Sequence, residues 1–101
     1  MRVATSEPYT TEGILATLGY PNPMEAARQQ ARMILLGRIA RYRAIVRQFE
    51  SQWGCTLEEL HSRYQTEGHE DIAADDAYLE WQWYAEAAET VSVQLTALAQ
   101  A

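Results

Sequence analysis

Ala74, Ala77, Trp81, Tyr84, Ala88, Val91, Leu95 and Leu98 form an unbroken 3-4-3-4 ladder, every rung apolar or aromatic. An α-helix places such positions on one narrow stripe, the seam that one helix offers to another. No Gly or Pro interrupts it. About a quarter of the chain is thus committed to a helix that must dock.

The partner helix is found upstream. Asn22 has the chemistry of an N-cap, with Pro23 at the first helical position and Glu25 three residues after the cap. A long helix is expected from about Pro23 to Trp53, with a core stripe of Met24, Ala27, Ala31, Ile34, Leu35, Tyr42, Ile45 and Phe49. Gly54 suits the left-handed residue that closes it. Thr56-Leu57-Glu58-Glu59 then reads as a capping box, opening a short helix with Leu57, Leu60 and Tyr64 inward and Gly68 at its end. The last helix is expected from about Asp71 to Ala99, its early acids Asp71, Asp75 and Asp76 favoured by the helix dipole. Before all of this, residues 1–10 read as a polar arm. Residues 11–19 read as a short helix capped by Thr11 and ended by Gly19, with Ile14, Leu15 and Leu18 on one side.

The expected fold is therefore all-α: a long antiparallel helical hairpin with a short connecting helix, able to form a four-helix bundle on dimerisation. Residues 1–20 form the N-terminal arm with its short helix, and residues 21–101 the hairpin domain.

Charge is segregated along the chain. All eight basic residues are Arg, and six of them fall in residues 24–49 against one Glu. Residues 50–101 carry eleven acids against Arg63, and the whole chain has a net charge of −6. Internal matching of two oppositely charged helices is the first expectation, and use of either face by a partner the second. A net negative chain is ill suited to direct nucleic-acid binding, which depends on neutralising phosphates. Neither a membrane span nor a secretory signal is legible in the sequence, and a lone Cys55 suits a reducing compartment, so a cytoplasmic location is expected.

Two residues break the apolar pattern. Arg38 falls within the stripe read for the first long helix, between Ile34, Leu35, Tyr42 and Ile45. A guanidinium there must pair with a carboxylate of the last helix, snorkel to water, or join Arg41 in meeting an acidic or phosphate group of a partner. Trp83 is rotated 160° from Trp81 on the last helix, on a side shared with Ile72, Leu79, Ala87 and Ala97. Leu36 and Ile39 likewise read as straying from the stripe of the first long helix. A hairpin covers one face of each member, so these groups call for the N-terminal arm, a second copy or another protein. Trp is enriched among binding anchors, which makes Trp83 a candidate.

Chemistry-bearing constellations are weak by comparison. Asp75, Asp76 and Glu80 are grouped as in carboxylate metal helices, but the facing helix offers Arg where a second acidic pair is needed. No metal and no cofactor is expected. Arg63 and His69 fit the loose spacing of HEPN-type ribonucleases, with Gly68 breaking the helix between them. Cys55 and His61 lack a third group to orient the imidazole, and Cys55 reads instead as a capping-region residue. No catalytic residue is assigned.

The segment Phe49-Glu50-Ser51-Gln52-Trp53-Gly54-Cys55-Thr56-Leu57-Glu58-Glu59-Leu60, followed by Asp75-Asp76-Ala77-Tyr78-Leu79-Glu80-Trp81, resembles small helical antitoxin-like proteins of bacteria and archaea. Members of that group are often encoded beside TumE-type toxins. The resemblance covers roughly residues 35–95 and departs from the pattern at Trp53, where a Tyr is usual. It implies a non-enzymatic protein-binding module that neutralises a small basic toxin by direct contact. The partner-binding residues would then be Trp83, Leu79, Asp75, Asp76 and Glu80, with Arg38 and Arg41 on the facing helix. A homodimer is also expected. The alternatives are a self-associating structural bundle and a small HEPN-like ribonuclease.

Overall fold

The computed structural model describes residues 9–67 and 76–100, with the backbone alone at Thr66 and Glu67. Four helices and no strand are present among these residues: α1 (Thr11–Thr17), α2 (Pro23–Trp53), α3 (Leu57–Glu67) and α4 (Asp76–Gln100). The chain divides into two compact units, residues 1–34 and 35–101. Expectations resting on Gly68, His69, Asp71, Ile72, Ala74 and Asp75 lie outside the described residues.

In the first unit, local chemistry sets the helix ends. Thr10, rather than Thr11, caps α1: its backbone is extended and its Oγ1 accepts the Gly13 N–H at 3.0 Å. Leu18 closes the helix, and Gly19 follows at φ +93°. The Gly19 N–H donates to the Ala16 carbonyl and the Tyr20 N–H to that of Leu15, both at 3.0 Å, which is the Schellman arrangement. A left-handed residue is required there, and Gly alone adopts it without a Cβ penalty. Asn22 caps α2 as expected, its Oδ1 accepting the Glu25 N–H at 2.8 Å. The Glu25 carboxylate meets Gln29 at 3.1 Å and Arg28 at 3.8 Å.

The second unit contains the hairpin. Gly54, at φ +71°, ends α2 by donating its N–H to the Glu50 carbonyl at 2.8 Å. The box at α3 is reciprocal: the Glu59 N–H donates to Thr56 Oγ1 and the Thr56 N–H to Glu59 Oε1, each at 3.1 Å. That backbone donor, followed by further hydrogen bonding with Thr56, holds the Glu59 pKa below the ordinary carboxylate value.

Helices α2 and α4 run antiparallel. Phe49 and Trp53 meet Trp81, whereas Tyr42 meets Trp83 and Tyr84, and Ile39 packs with Ala88 and Val91. Positions ascending on one helix thus meet positions descending on the other. Two clusters fill the seam. At the connected end Cys55, Leu60, Tyr78 and Trp81 are buried, with Val46, Phe49, Trp53, Leu57 and Tyr64 packed around them. Towards the open end Ile39, Ala88 and Val91 are buried among Leu35, Tyr42 and Leu95.

The α4 ladder docks in the expected phase, and α2 does not. Its seam is Leu35, Ile39, Tyr42, Val46, Phe49 and Trp53, a 4-3-4-3-4 series with no charged member. Ile39, expected to stray, is the buried residue of α2 at 6% exposure, whereas Arg38, Ile34 and Met24 are exposed. The physical reason is that α2 carries two apolar ladders about 40° apart. Docking selects the one that leaves no guanidinium to desolvate.

Candidate functional site

The two sides of α4 next to its seam are occupied differently. At 100° per residue, Tyr78 lies about 60° to one side of Trp81 and Trp83 about 160° to the other. Helix α3 covers the Tyr78 side. Leu60 is buried there, and the His61 ring sits with Nδ1 3.2 Å from Tyr78 Oη. His61 Nε2 lies 3.1 Å from Gln65 Nε2, so each ring nitrogen has a polar neighbour that fixes the ring's orientation. A cleft of about 420 Å³, lined by Leu57, Glu58, His61, Ser62, Tyr78 and Gln82, opens beside this contact.

The Trp83 side is open. Trp83 remains 57% exposed, yet its ring is held from two directions. Tyr42 of α2 meets it edge-on with centroids 5.8 Å apart, and Tyr84 does so at 5.0 Å. Edge-to-face pairs of this kind are worth about 0.5–1.5 kcal/mol, enough to restrict the indole without burying it. The Arg41 guanidinium lies 5.5 Å from the Tyr42 ring centroid, within cation–π reach.

Helical spacing places the other expected site residues around this anchor. Asp76, Leu79 and Glu80 precede Trp83 by seven, four and three positions, so they share its strip of α4, and all are exposed. Arg38 stands one turn before Tyr42 on the same side of α2, also exposed. The structure therefore gathers Trp83, Leu79, Asp76, Glu80, Arg38 and Arg41 on one flank of the hairpin. Asp75 lies outside the described residues.

Two expectations about the Arg residues need correction. Arg38 is exposed rather than embedded in the apolar seam, and among the described residues it makes no ion pair with a carboxylate of α4. Among the described residues the ion pair present is Arg28 with Glu25, one turn apart on α2, so opposite charge does not lock α2 to α4. Aromatic and aliphatic packing does that. Tyr42, expected in the core stripe, sits at the seam half-buried against the Ile39 cluster, and its ring also meets Trp83 edge-on. A Tyr flanked by Arg residues at a seam position is the signal available, because its amphipathic ring serves both environments.

Other chemistry is thin. Cys55 is buried in the aromatic cluster as a free thiol, and both ring nitrogens of His61 are occupied by Tyr78 and Gln65. Arg63 is exposed on α3, and its expected partner His69 lies outside the described residues. Among the described residues, no group of three or more His, Cys, Asp or Glu side chains is placed to hold a metal ion. No helix there is long and apolar enough to cross a membrane.

By fold the molecule belongs to the all-α proteins, built on a helical hairpin with a short helix packed against one side. No family model matches the chain, and no curated protein or solved structure is detectably similar to it.

Proposed function

We infer that the protein is a non-enzymatic, antitoxin-like binding module that neutralises a small basic partner protein in the cytoplasm by direct contact through the Trp83 flank. The observation carrying this reading is Trp83 itself. A Trp that is 57% exposed but steadied by Tyr42 and Tyr84 is an anchor whose rotamer cost is partly met before binding. Leu79 extends the apolar contact, and Asp76 and Glu80 supply the charge for a basic groove. The segments that resemble antitoxin-like proteins end beside this strip and run into its first residues.

The test is a growth experiment. Any small basic protein encoded beside this chain is expressed alone and then with it. Rescue by the wild-type chain and loss of rescue by Trp83→Ala, with helicity retained, is the expected result. Rescue that is equally strong with Trp83→Ala removes this flank from the mechanism, and a neighbour with no toxicity removes the antitoxin role.

A second reading is a self-associating helical bundle. It draws on the open flank and on further exposed apolar side chains of the second unit, Leu36 and Val93.

A further inference from the structure

The open flank carries both signs of charge, and they are sorted along its length. Tyr42 meets Trp83 and Tyr84, which sets the level of α2 against α4. From that contact Arg38 stands about 6 Å towards the open end, at about 1.5 Å per residue. Glu80 and Asp76 stand about 4 and 10 Å from Trp83 in the other direction, towards the connected end. Arg41 lies beside Tyr42, its guanidinium 5.5 Å from the ring centroid. All four charged residues are exposed, and no ion pair joins them among the described residues. Arg38 and Glu80 differ in level by about 10 Å, which keeps the two signs apart.

Helical angles place an apolar strip between the charges. Arg38 on α2 and Glu80 on α4 each lie about 60° from the centre of their own seam, on the side where Tyr42 meets Trp83. Ile45 and Ala87, both half-buried, lie about 80° from those centres on the same side. The furrow between α2 and α4 is thus lined by Ile45, Tyr42, Trp83 and Ala87, basic towards one end and acidic towards the other. From Arg38 to Asp76 it spans about 16 Å, or about three turns of helix. A uniformly basic element would be repelled at Arg38 and Arg41, and a uniformly acidic one at Asp76 and Glu80. We propose that this furrow takes one amphipathic helix of a partner protein, acidic at one end and basic at the other. Its apolar stripe seats on Trp83 and Tyr42, its acids meet Arg38 and Arg41, and its bases meet Asp76 and Glu80. The three helices then form a bundle on this side of the seam. A partner that is basic overall can carry such a helix. The proposal rests on the reading of the Trp83 flank as the contact surface and names what that surface accepts.

Three helical probe peptides of about 14 residues test this; they share one apolar stripe and differ only in charge. The first carries acids in one half and bases in the other, the second interleaves the same charges, and the third carries bases throughout. Each is labelled and titrated with the full chain by fluorescence anisotropy, at about 0.15 M salt to screen the net charge of −6. The sorted peptide is expected to bind at least about tenfold more tightly than the other two. Trp83→Ala is expected to weaken its binding by at least about tenfold, with helicity retained by circular dichroism. Arg38→Glu with Arg41→Glu makes the whole flank acidic, and the uniformly basic peptide is then expected to bind best. The proposal is overturned by wild-type binding that does not favour the sorted peptide, by a preference unchanged in the double variant, or by no binding at all. A wild-type dimer that Trp83→Ala dissociates in sedimentation equilibrium also overturns it, because a second copy would then occupy the furrow. Growth rescue is a separate readout. Rescue without the peptide preference removes this inference alone, and the preference without rescue removes the antitoxin role alone.

Discussion

Trp81 and Trp83 are two residues apart on one helix, and the regions around them differ in kind. Trp81 is fully buried: Phe49 stacks on it at 5.7 Å with planes 8° apart, and Trp53 lies at 6.1 Å. Its Nε1 has no hydrogen-bond acceptor among the described residues. An unmet buried donor costs about 1–3 kcal/mol, which the burial of a Trp-sized surface outweighs at about 25 cal/mol per Å². Trp83 has more than half its surface in solvent and only edge contacts to two Tyr rings. The seam region holds the hairpin closed. The flank adds little to stability and leaves a large ring presented in a restricted orientation. The difference teaches that residue type does not assign a role on α4; angular position does.

The largest expected effect breaks the seam. Trp81→Ala removes the centre of the cluster that joins α2, α3 and α4, and it is expected to cost about 3–5 kcal/mol in chemical denaturation. The same substitution at Trp83 gives up two edge pairs, to Tyr42 and Tyr84, and is expected to cost about 1–2 kcal/mol. Equal losses at the two sites would erase the distinction between the regions.

A smaller effect sharpens the comparison on the facing helix. Ile39→Ala opens a cavity in the cluster with Ala88 and Val91 and is expected to cost about 2–4 kcal/mol. Arg38→Ala, one position away, is expected to change stability by less than about 0.5 kcal/mol, because its side chain is exposed and makes no ion pair among the described residues. A large loss at Arg38 with a small one at Ile39 would restore the other phase for α2.

That phase is where sequence reasoning and structure part. On α4 a single ladder from Ala77 to Leu98 left no choice of face, and Trp81, Ala88 and Val91 are buried on it. Helix punctuation was equally legible, because Asn22, Gly54 and the Thr56–Glu59 box act through bonds within one turn. On α2 two ladders compete, and both contain Tyr42 and Phe49. Only the presence of α4 decides between them, and a one-helix pattern does not contain that information. The flank was legible in part. Trp83, Leu79, Asp76 and Glu80 follow from α4's angles alone. Their meeting with Arg38 and Arg41 across Tyr42 needed the register of two helices.

The most direct test of the central claim, that α4 buries one Trp and presents the other, is acrylamide quenching of chains with one Trp each. Trp53→Phe with Trp81→Phe leaves Trp83 as the emitter, and Trp53→Phe with Trp83→Phe leaves Trp81. At concentrations low enough to hold the chain monomeric, the first is expected to emit to the red and quench readily. The second is expected to emit to the blue and resist quenching. Two chains that emit and quench alike would contradict the account.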